Sequence, residues 1–161
     1  MPTSPANGRP AVQPLQVGRV LIAAVIEQDG KFLLVEKHTS QGLKLNQPAG
    51  HLEANESLLH AVVREACEES AYDFEPQHLV GVYRWHAQTS DTTYLRFAYS
   101  GRILAHHAGQ PLDEGIVRAV WMTVDEIRAS VSRHRSPLIL QCVEDYLAGK
   151  RYPLELVTHY E

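Results

Sequence analysis

An α/β fold, with a mixed sheet set between helices, is the class this sequence predicts, and three features of its pattern lead there. Residues 17–26 form an apolar, β-branched run, and the two-residue turn signal Asp29-Gly30 leads into a second apolar run over 31–36. Residues 57–70 place their apolar side chains at helical spacing instead. Beyond them, strand-like and helical stretches alternate to the end of the chain, the interleaving expected of helices packed on a sheet.

Each element follows from local chemistry. Residues 1–16 carry Pro2, Pro5, Pro10 and Pro14 without a hydrophobic period, and read as a flexible N-terminal tail. The remainder, 17–161, is the length of one domain with a single good core. The run over 17–26 is apolar on both faces, as a buried central strand is. Residues 38–46 are polar with Gly42 and read as a loop. The helix over 57–70 begins near Asn55 or Glu56, and Leu59, Val62, Val63 and Ala66 share its apolar stripe. Glu65, Glu68 and Glu69 form the neighbouring stripe, while Cys67 points away from both as an idle surface thiol. Strands are expected over 79–86, 92–100 and 117–122, and helices over 124–131 and 137–148, the last closed by Gly149.

Composition narrows the function. A net charge of −4 and a pI near 6.1 argue against nucleic acid or an acidic membrane surface as the main partner. They also mean that an anionic substrate needs local help from a cation. Cys67 and Cys142 have no CxxC spacing and suggest reduced thiols in a cytoplasmic protein. The longest apolar run, 20–26, is too short to span a bilayer, and no export signal is visible.

The chemistry concentrates between Gly50 and Glu69, in the run GHLEANESLLHAVVREACEE. On a helix, Glu65, Glu68 and Glu69 stand at i, i+3 and i+4, where like charges cost a few tenths of a kcal/mol per pair. A hard divalent cation such as Mg²⁺ prefers carboxylate oxygens and removes that cost. Taken singly, each glutamate pair reads as an ordinary solvated face. Jointly, Gly50, Glu56, Arg64, Glu65, Glu68 and Glu69 at ~7% each would match by chance about once in ten million windows. The pattern G-x5-E-x7-R-E-x-x-E-E is the Nudix box, and the chain resembles the Nudix hydrolase family.

The resemblance implies an α/β/α sandwich whose box is a loop–helix–loop. It implies Mg²⁺, or Mn²⁺, held by Glu68 and Glu69, with Glu65 as a metal ligand or general base. The Ala49 carbonyl would be a further ligand, and Glu56 with Arg64 a structural ion pair. Gly50 would serve close backbone approach or positive φ. Many members use an acidic residue beyond the box; Asp113 and Glu114 are the candidates, with Glu114 preferred and an ordinary Asp/Gly turn as the plain alternative. The box departs from the family at its end, where Ala71 and Tyr72 replace glycine and an aliphatic residue. An alanine in a left-handed cap costs roughly 1 kcal/mol, so the cap geometry is in question.

The substrate side carries weaker signals. Arg96, Arg84 and Lys44 are phosphate candidates, and Trp85 or Tyr94 ring-stacking candidates, each with a surface or core role as its alternative. His106-His107 lack metal-ligand spacing and read as loop residues. The runs NQPAGHLEANESL, LRF, RSPL and RYPLEL resemble a bacterial phosphatase branch of the family. That branch implies release of orthophosphate from nucleoside tri- and diphosphates and from thiamine-related pyrophosphates, including hydroxymethylpyrimidine diphosphate and thiamine diphosphate. Two alternatives remain: a pyrophosphohydrolase of nucleotide sugars or dinucleoside polyphosphates, and a nucleotide-sensing module without turnover. A monomer is expected rather than a dimer.

Overall fold

The computed structural model describes residues 19–161; the expected tail over 1–16 and the first two residues of the expected first strand lie outside the described residues. β1 (Val20–Val25) runs through the centre of a four-stranded sheet of order β5-β1-β7-β6, in which β5 is Ala49–His51, β6 Tyr72–Ala87 and β7 Thr92–His106. Its alternation sends Ile22 and Ala24 to one core and Val25 to another. Both faces are dry, which is why the strand is apolar throughout.

After β2 (Glu27–Gln28) the chain turns at Asp29 and Gly30, whose φ values of 53° and 77° suit a tight hairpin. The Gly30 N–H donates to the Glu27 carboxylate at 2.9 Å. β3 (Lys31–Thr39) then continues past the expected end, turns at Gly42 and returns as β4 (Gly42–Asn46). The expected loop over 38–46 is thus a hairpin. Within β4 only Leu45 is buried, so a ribbon wet on most of its surface reads as polar loop in the sequence. β2, β3 and β4 form a second sheet, with β8 (Ile116–Thr123) also paired to β3.

β5 (Ala49–His51) lies antiparallel on β1, and α1 (Leu58–Ser70) follows. β6 (Tyr72–Ala87) and β7 (Thr92–His106) form a long antiparallel ribbon, with β7 parallel to β1. Both strands outrun their expected bounds because the register shifts near Asp73, Pro76 and Leu79 break the two-residue alternation. His106 accordingly ends a strand and stacks on Tyr72 at 4.2 Å, where a loop residue was expected.

β8 (Ile116–Thr123) leads into α2 (Val124–Ala129), whose capping box pairs Thr123 with Glu126. The expected helix to 131 stops early, and a 3-10 turn covers Val131–Arg133. α3 (Leu138–Leu147) closes with Gly149 at φ 85°. One core packs α1 through Ala61, Val62 and Ala66 against Ile22, Phe74 and Tyr99. The other packs α3 and α2 through Ile139, Val143 and Ile127 against Val25, Leu34 and Ala98. Helices therefore cover both faces of a mixed sheet. Among the described residues, no helix is long and apolar enough to cross a membrane.

Candidate active site

α1 starts at Ser57, whose Oγ accepts the His60 N–H at 3.1 Å, two residues later than the sequence suggests for Asn55 and one later than for Glu56. It ends at Ala71 with φ 61° and ψ 19°, and the Ala71 N–H donates to the Cys67 carbonyl at 2.9 Å. Alanine thus takes the left-handed cap itself, and its buried methyl offsets part of the conformational cost.

The buried face of α1 differs from the apolar stripe. Ala61, Val62, Glu65, Ala66, Glu69 and Ser70 face inward, while Leu59 is exposed and Val63 half-buried. Glu65 and Glu69 therefore sit within the packed face instead of beside it. Glu65 is 7% exposed and Glu69 3%. Burial pushes both carboxyls up, Glu69 to about 7, despite the opposing Arg64 contact at Glu65 and the Ala49 N–H at Glu69.

Arg64 organises the group. It grips Glu56 with two hydrogen bonds, Nε to Oε2 at 3.0 Å and Nη2 to Oε1 at 2.6 Å, and these hold the Glu56 carboxyl below its ordinary range. Its Nη1 donates to Glu65 Oε1 at 2.8 Å and to Glu68 Oε2 at 3.2 Å, and Nη2 donates to the His51 carbonyl at 3.1 Å. Glu56 also accepts the Glu53 N–H at 2.9 Å. The loop before α1 is thereby pinned to the helix. Gly50 stands where a Cβ would collide with the Glu65 carboxylate, so its role is close approach, not positive φ.

β5 meets the helix from the other side. The Ala49 N–H donates to Glu69 Oε1 at 2.9 Å, and Lys37 Nζ from β3 lies 3.7 Å from Glu69 Oε2. The loop between β7 and β8 supplies the remaining carboxylate. Glu65, Glu68 and Asp113 bring one oxygen each within 4.8 Å of one another. Asp113 lies in that group, whereas Glu114, exposed like Asp113, is not among its members. The cause is backbone: the Asp113 N–H donates to the Glu68 carbonyl at 2.9 Å, and Gln110 Nε2 to the Cys67 carbonyl at 3.1 Å. These bonds lay the loop along α1 and turn Asp113 toward it. Cys67 is consequently half-buried against Gln110, not an idle surface thiol, and neither cysteine is in a disulfide.

Glu53, Glu56, Glu65 and Glu68 thus meet Arg64, Glu69 meets Lys37, and Asp113 joins Glu65 and Glu68 without a cation of its own among the described residues. The donor set is all oxygen, anionic in excess and partly buried, which fits a hard divalent cation.

A cleft of about 1100 Å³ opens beside Glu69, Ala49 and Gly50. Arg96 and Trp85 both line it, as do Lys44 and Tyr94, whereas Arg84 is exposed and absent from its walls. Arg96 is only 2% exposed. Trp85 stacks on Tyr94 with centroids 5.7 Å apart and planes at 19°. Lys44 Nζ donates to the Ser132 carbonyl at 3.0 Å, and His107 pairs with Asp73 away from the cleft. Asn46 and His134 join the cleft walls only through the fold, and no local chemistry marked either as a site residue, while Gln47 lies behind them between Arg96 and the Ile139 carbonyl.

Comparison with known proteins agrees with this geometry. The NUDIX domain model matches residues 16–142. Phosphatase NudJ of Escherichia coli (strain K12) is 38% identical over 141 residues, covering 88% of this chain and 91% of that one. A NUDIX hydrolase from Nitrosomonas europaea superposes with a TM-score of 0.86 at 52% identity, over 88% of this chain and 97% of that one. A MutT NUDIX hydrolase from Burkholderia pseudomallei shares the fold alone, with a TM-score of 0.66 at 19% identity over 79% and 96% of the two chains. The chain belongs to the NUDIX domain family, and it is a Nudix hydrolase homologous to the phosphatase NudJ.

Proposed function

We propose that the chain is a Mg²⁺-dependent phosphatase of small phosphoanhydrides. It would release orthophosphate from nucleoside tri- and diphosphates and from thiamine-related pyrophosphates such as hydroxymethylpyrimidine diphosphate and thiamine diphosphate. The observation that carries this reading is the convergence of Glu65, Glu68 and Asp113 within 4.8 Å beside a cleft edged by Glu69. Likeness to the phosphatase NudJ supports the choice of phosphatase activity.

Glu65, Glu68, Glu69 and Asp113 are the side chains that would hold Mg²⁺ or Mn²⁺, with the Ala49 carbonyl as a backbone ligand. Such a cation, when bound, neutralises phosphate charge and lowers the pKa of a coordinated water. Arg64 keeps Glu65 and Glu68 turned toward each other, and its grip on Glu56 fixes the Gly50 turn at the cleft edge. Burial lifts the Glu69 carboxyl to about 7 in the metal-free chain, a bound cation would favour its ionised form, and Glu65 would bind metal or act as general base. Trp85 and Arg96 would meet the substrate deeper in the cleft. The domain over 17–161 would act as a cytoplasmic monomer, on small molecules and not on nucleic acid or membrane.

Incubation with Mg²⁺ and a panel of nucleotides and thiamine-pathway diphosphates tests the reading. Orthophosphate is the expected product; two phosphorylated halves from a nucleotide sugar or dinucleoside polyphosphate would transfer the function to pyrophosphohydrolysis. Glu68→Gln and Asp113→Asn should each lower turnover by on the order of 100-fold, while Glu114→Gln retains it. Full turnover by folded Glu68→Gln and Asp113→Asn would overturn the assignment.

A further inference from the structure

Arg96 is the largest fully buried side chain of the protein, and its guanidinium has no carboxylate within ion-pair distance among the described residues. Its Nη1 donates to Gln47 Oε1 at 3.0 Å and to the Cys142 sulfur at 3.9 Å, a thiol that burial keeps neutral, and its Nη2 donates to Asn46 Oδ1 at 2.7 Å, while Nε has no partner. Two neutral amides do not cancel a buried charge, and an uncompensated buried cation is costly.

The amide orientations carry the argument further. Arginine has no acceptor, so both amides must turn their oxygens toward it. Gln47 spends its remaining polar group on α3, Nε2 donating to the Ile139 carbonyl at 2.8 Å. Asn46 is different: it lines the cleft, and its Nδ2 donors find no acceptor among the described residues. Next to a guanidinium, an amide held this way offers only N–H groups. The surroundings have the same sign, because Lys37, Lys44, Arg96 and Arg135 line the cleft with Glu69 as its one acidic side chain. That excess stands out on a chain of net charge −4. Tyr94, two residues before Arg96 on the same face of β7, brings the stacked Trp85 ring alongside.

We infer that Asn46 and Arg96 form a donor-only niche that binds a phosphate oxyanion of the substrate, a specificity determinant separate from the carboxylate cluster. The inference rests on the phosphoanhydride reading above. The bound phosphate supplies the counterion that the interior withholds, with Asn46 Nδ2 orienting it from the cleft side. Asn46 has no place in the box and acts by binding, so its loss falls chiefly on KM.

The competing role for Arg96 is a purely structural tie between β7 and the end of β4. Asn46→Asp separates the two, since it sets a carboxylate of the same shape against the guanidinium. A structural tie would be strengthened by this change, whereas a phosphate niche would be filled and repelled. The measurements are calorimetric binding of inorganic phosphate to the full chain in excess chelator, KM for the hydrolysed substrate with Mg²⁺, and the thermal midpoint. The expected result for Asn46→Asp is a midpoint no lower than wild type, with phosphate binding weakened and KM raised by at least about tenfold. Unchanged phosphate binding and KM would overturn the proposal, as would a wild-type protein that binds no phosphate in chelator. If Asn46→Asp does not fold, Asn46→Ala decides: weaker phosphate binding by about threefold or more supports the niche, and unaltered binding refutes it. Absence of any hydrolysis by wild type would sink the phosphoanhydride reading separately, because the chelator titration needs neither metal nor turnover.

Discussion

Replacing Glu69 by glutamine should stabilise the metal-free protein at alkaline pH and leave it almost unchanged in acid. Glu69 is 3% exposed, and burial lifts its carboxyl from the ordinary 4.5 to about 7. At ~1.4 kcal/mol per pH unit, that gap corresponds to about 3–4 kcal/mol. The sign follows from proton counting. Between 4.5 and about 7 the native chain holds a proton that the unfolded chain has released, so stability falls as pH rises through this window. Below it both states are protonated and the penalty vanishes; above it the penalty is complete.

Glutamine keeps the acceptor for the Ala49 N–H and does not titrate; only the half-exposed Lys37 contact at 3.7 Å is lost. Glu56 works in the opposite sense, since Arg64 holds its carboxyl low and its contribution is lost as pH falls, but it is common to both proteins and cancels in the difference. Urea unfolding in excess chelator from pH 4 to pH 8 is the assay. The two proteins should coincide near pH 4, and Glu69→Gln should lead by about 2–3 kcal/mol at pH 8. Mg²⁺ at 100 times its Kd should close that gap, adding about 2.7 kcal/mol to the wild type, and at 1,000 times Kd, worth about 4.1 kcal/mol, it should reverse the order. Stability profiles that stay parallel across the range would refute the claim that burial controls this carboxyl.

Two further changes test the scaffold. Arg64→Met strands the largely buried Glu56 and removes the only cation touching Glu65 and Glu68 among the described residues. It should lower unfolding stability at pH 7 by about 3 kcal/mol, and a loss below about 1 kcal/mol in denaturant titration would contradict the role given to the Glu56 grip. Ala71→Gly relieves roughly 1 kcal/mol of left-handed strain but surrenders a buried methyl worth about 0.8 kcal/mol. Its midpoint should therefore stay close to wild type, and a gain of about 1 kcal/mol, the whole of the relieved strain, would mean that the methyl contributes no packing.

What the sequence disclosed and what it concealed divide along physical lines. The i, i+3, i+4 carboxylates were readable because helix geometry alone puts them together. Which face of α1 is buried was not, since Leu59 belongs to the apolar stripe yet lies outside. The pattern weighs transfer free energy only, whereas Glu65 and Glu69 are drawn inward by bonds to Arg64 and to the Ala49 backbone. The length of β6 and β7 was hidden by bulges that scramble alternation, and the β3–β4 hairpin by a surface too wet to look like a strand. Asp113 and Glu114 are adjacent acids in a turn, and nothing local separates them. What brings Asp113 to Glu65 and Glu68 is a pair of bonds to helix carbonyls distant in sequence, from the Asp113 N–H and from Gln110.

The charge crowding on α1 shows why such a site accepts burial that an ordinary helix avoids. A glutamate at i+4 from another normally faces water, which screens the repulsion to a few tenths of a kcal/mol. Here Glu65 and Glu69 are both buried, four residues apart, so water does not screen them. The fold meets the cost in separate ways: Arg64 for Glu65 and Glu68, and an amide with Lys37 for Glu69. Neither removes it, because both Glu65 and Glu69 still resist ionisation. The residual cost is largest in the metal-free state, and it is the portion that a divalent cation would reverse. Affinity for the cation and instability without it are then two faces of one free energy, so a substitution that stabilises the metal-free protein at this position should weaken its hold on the metal.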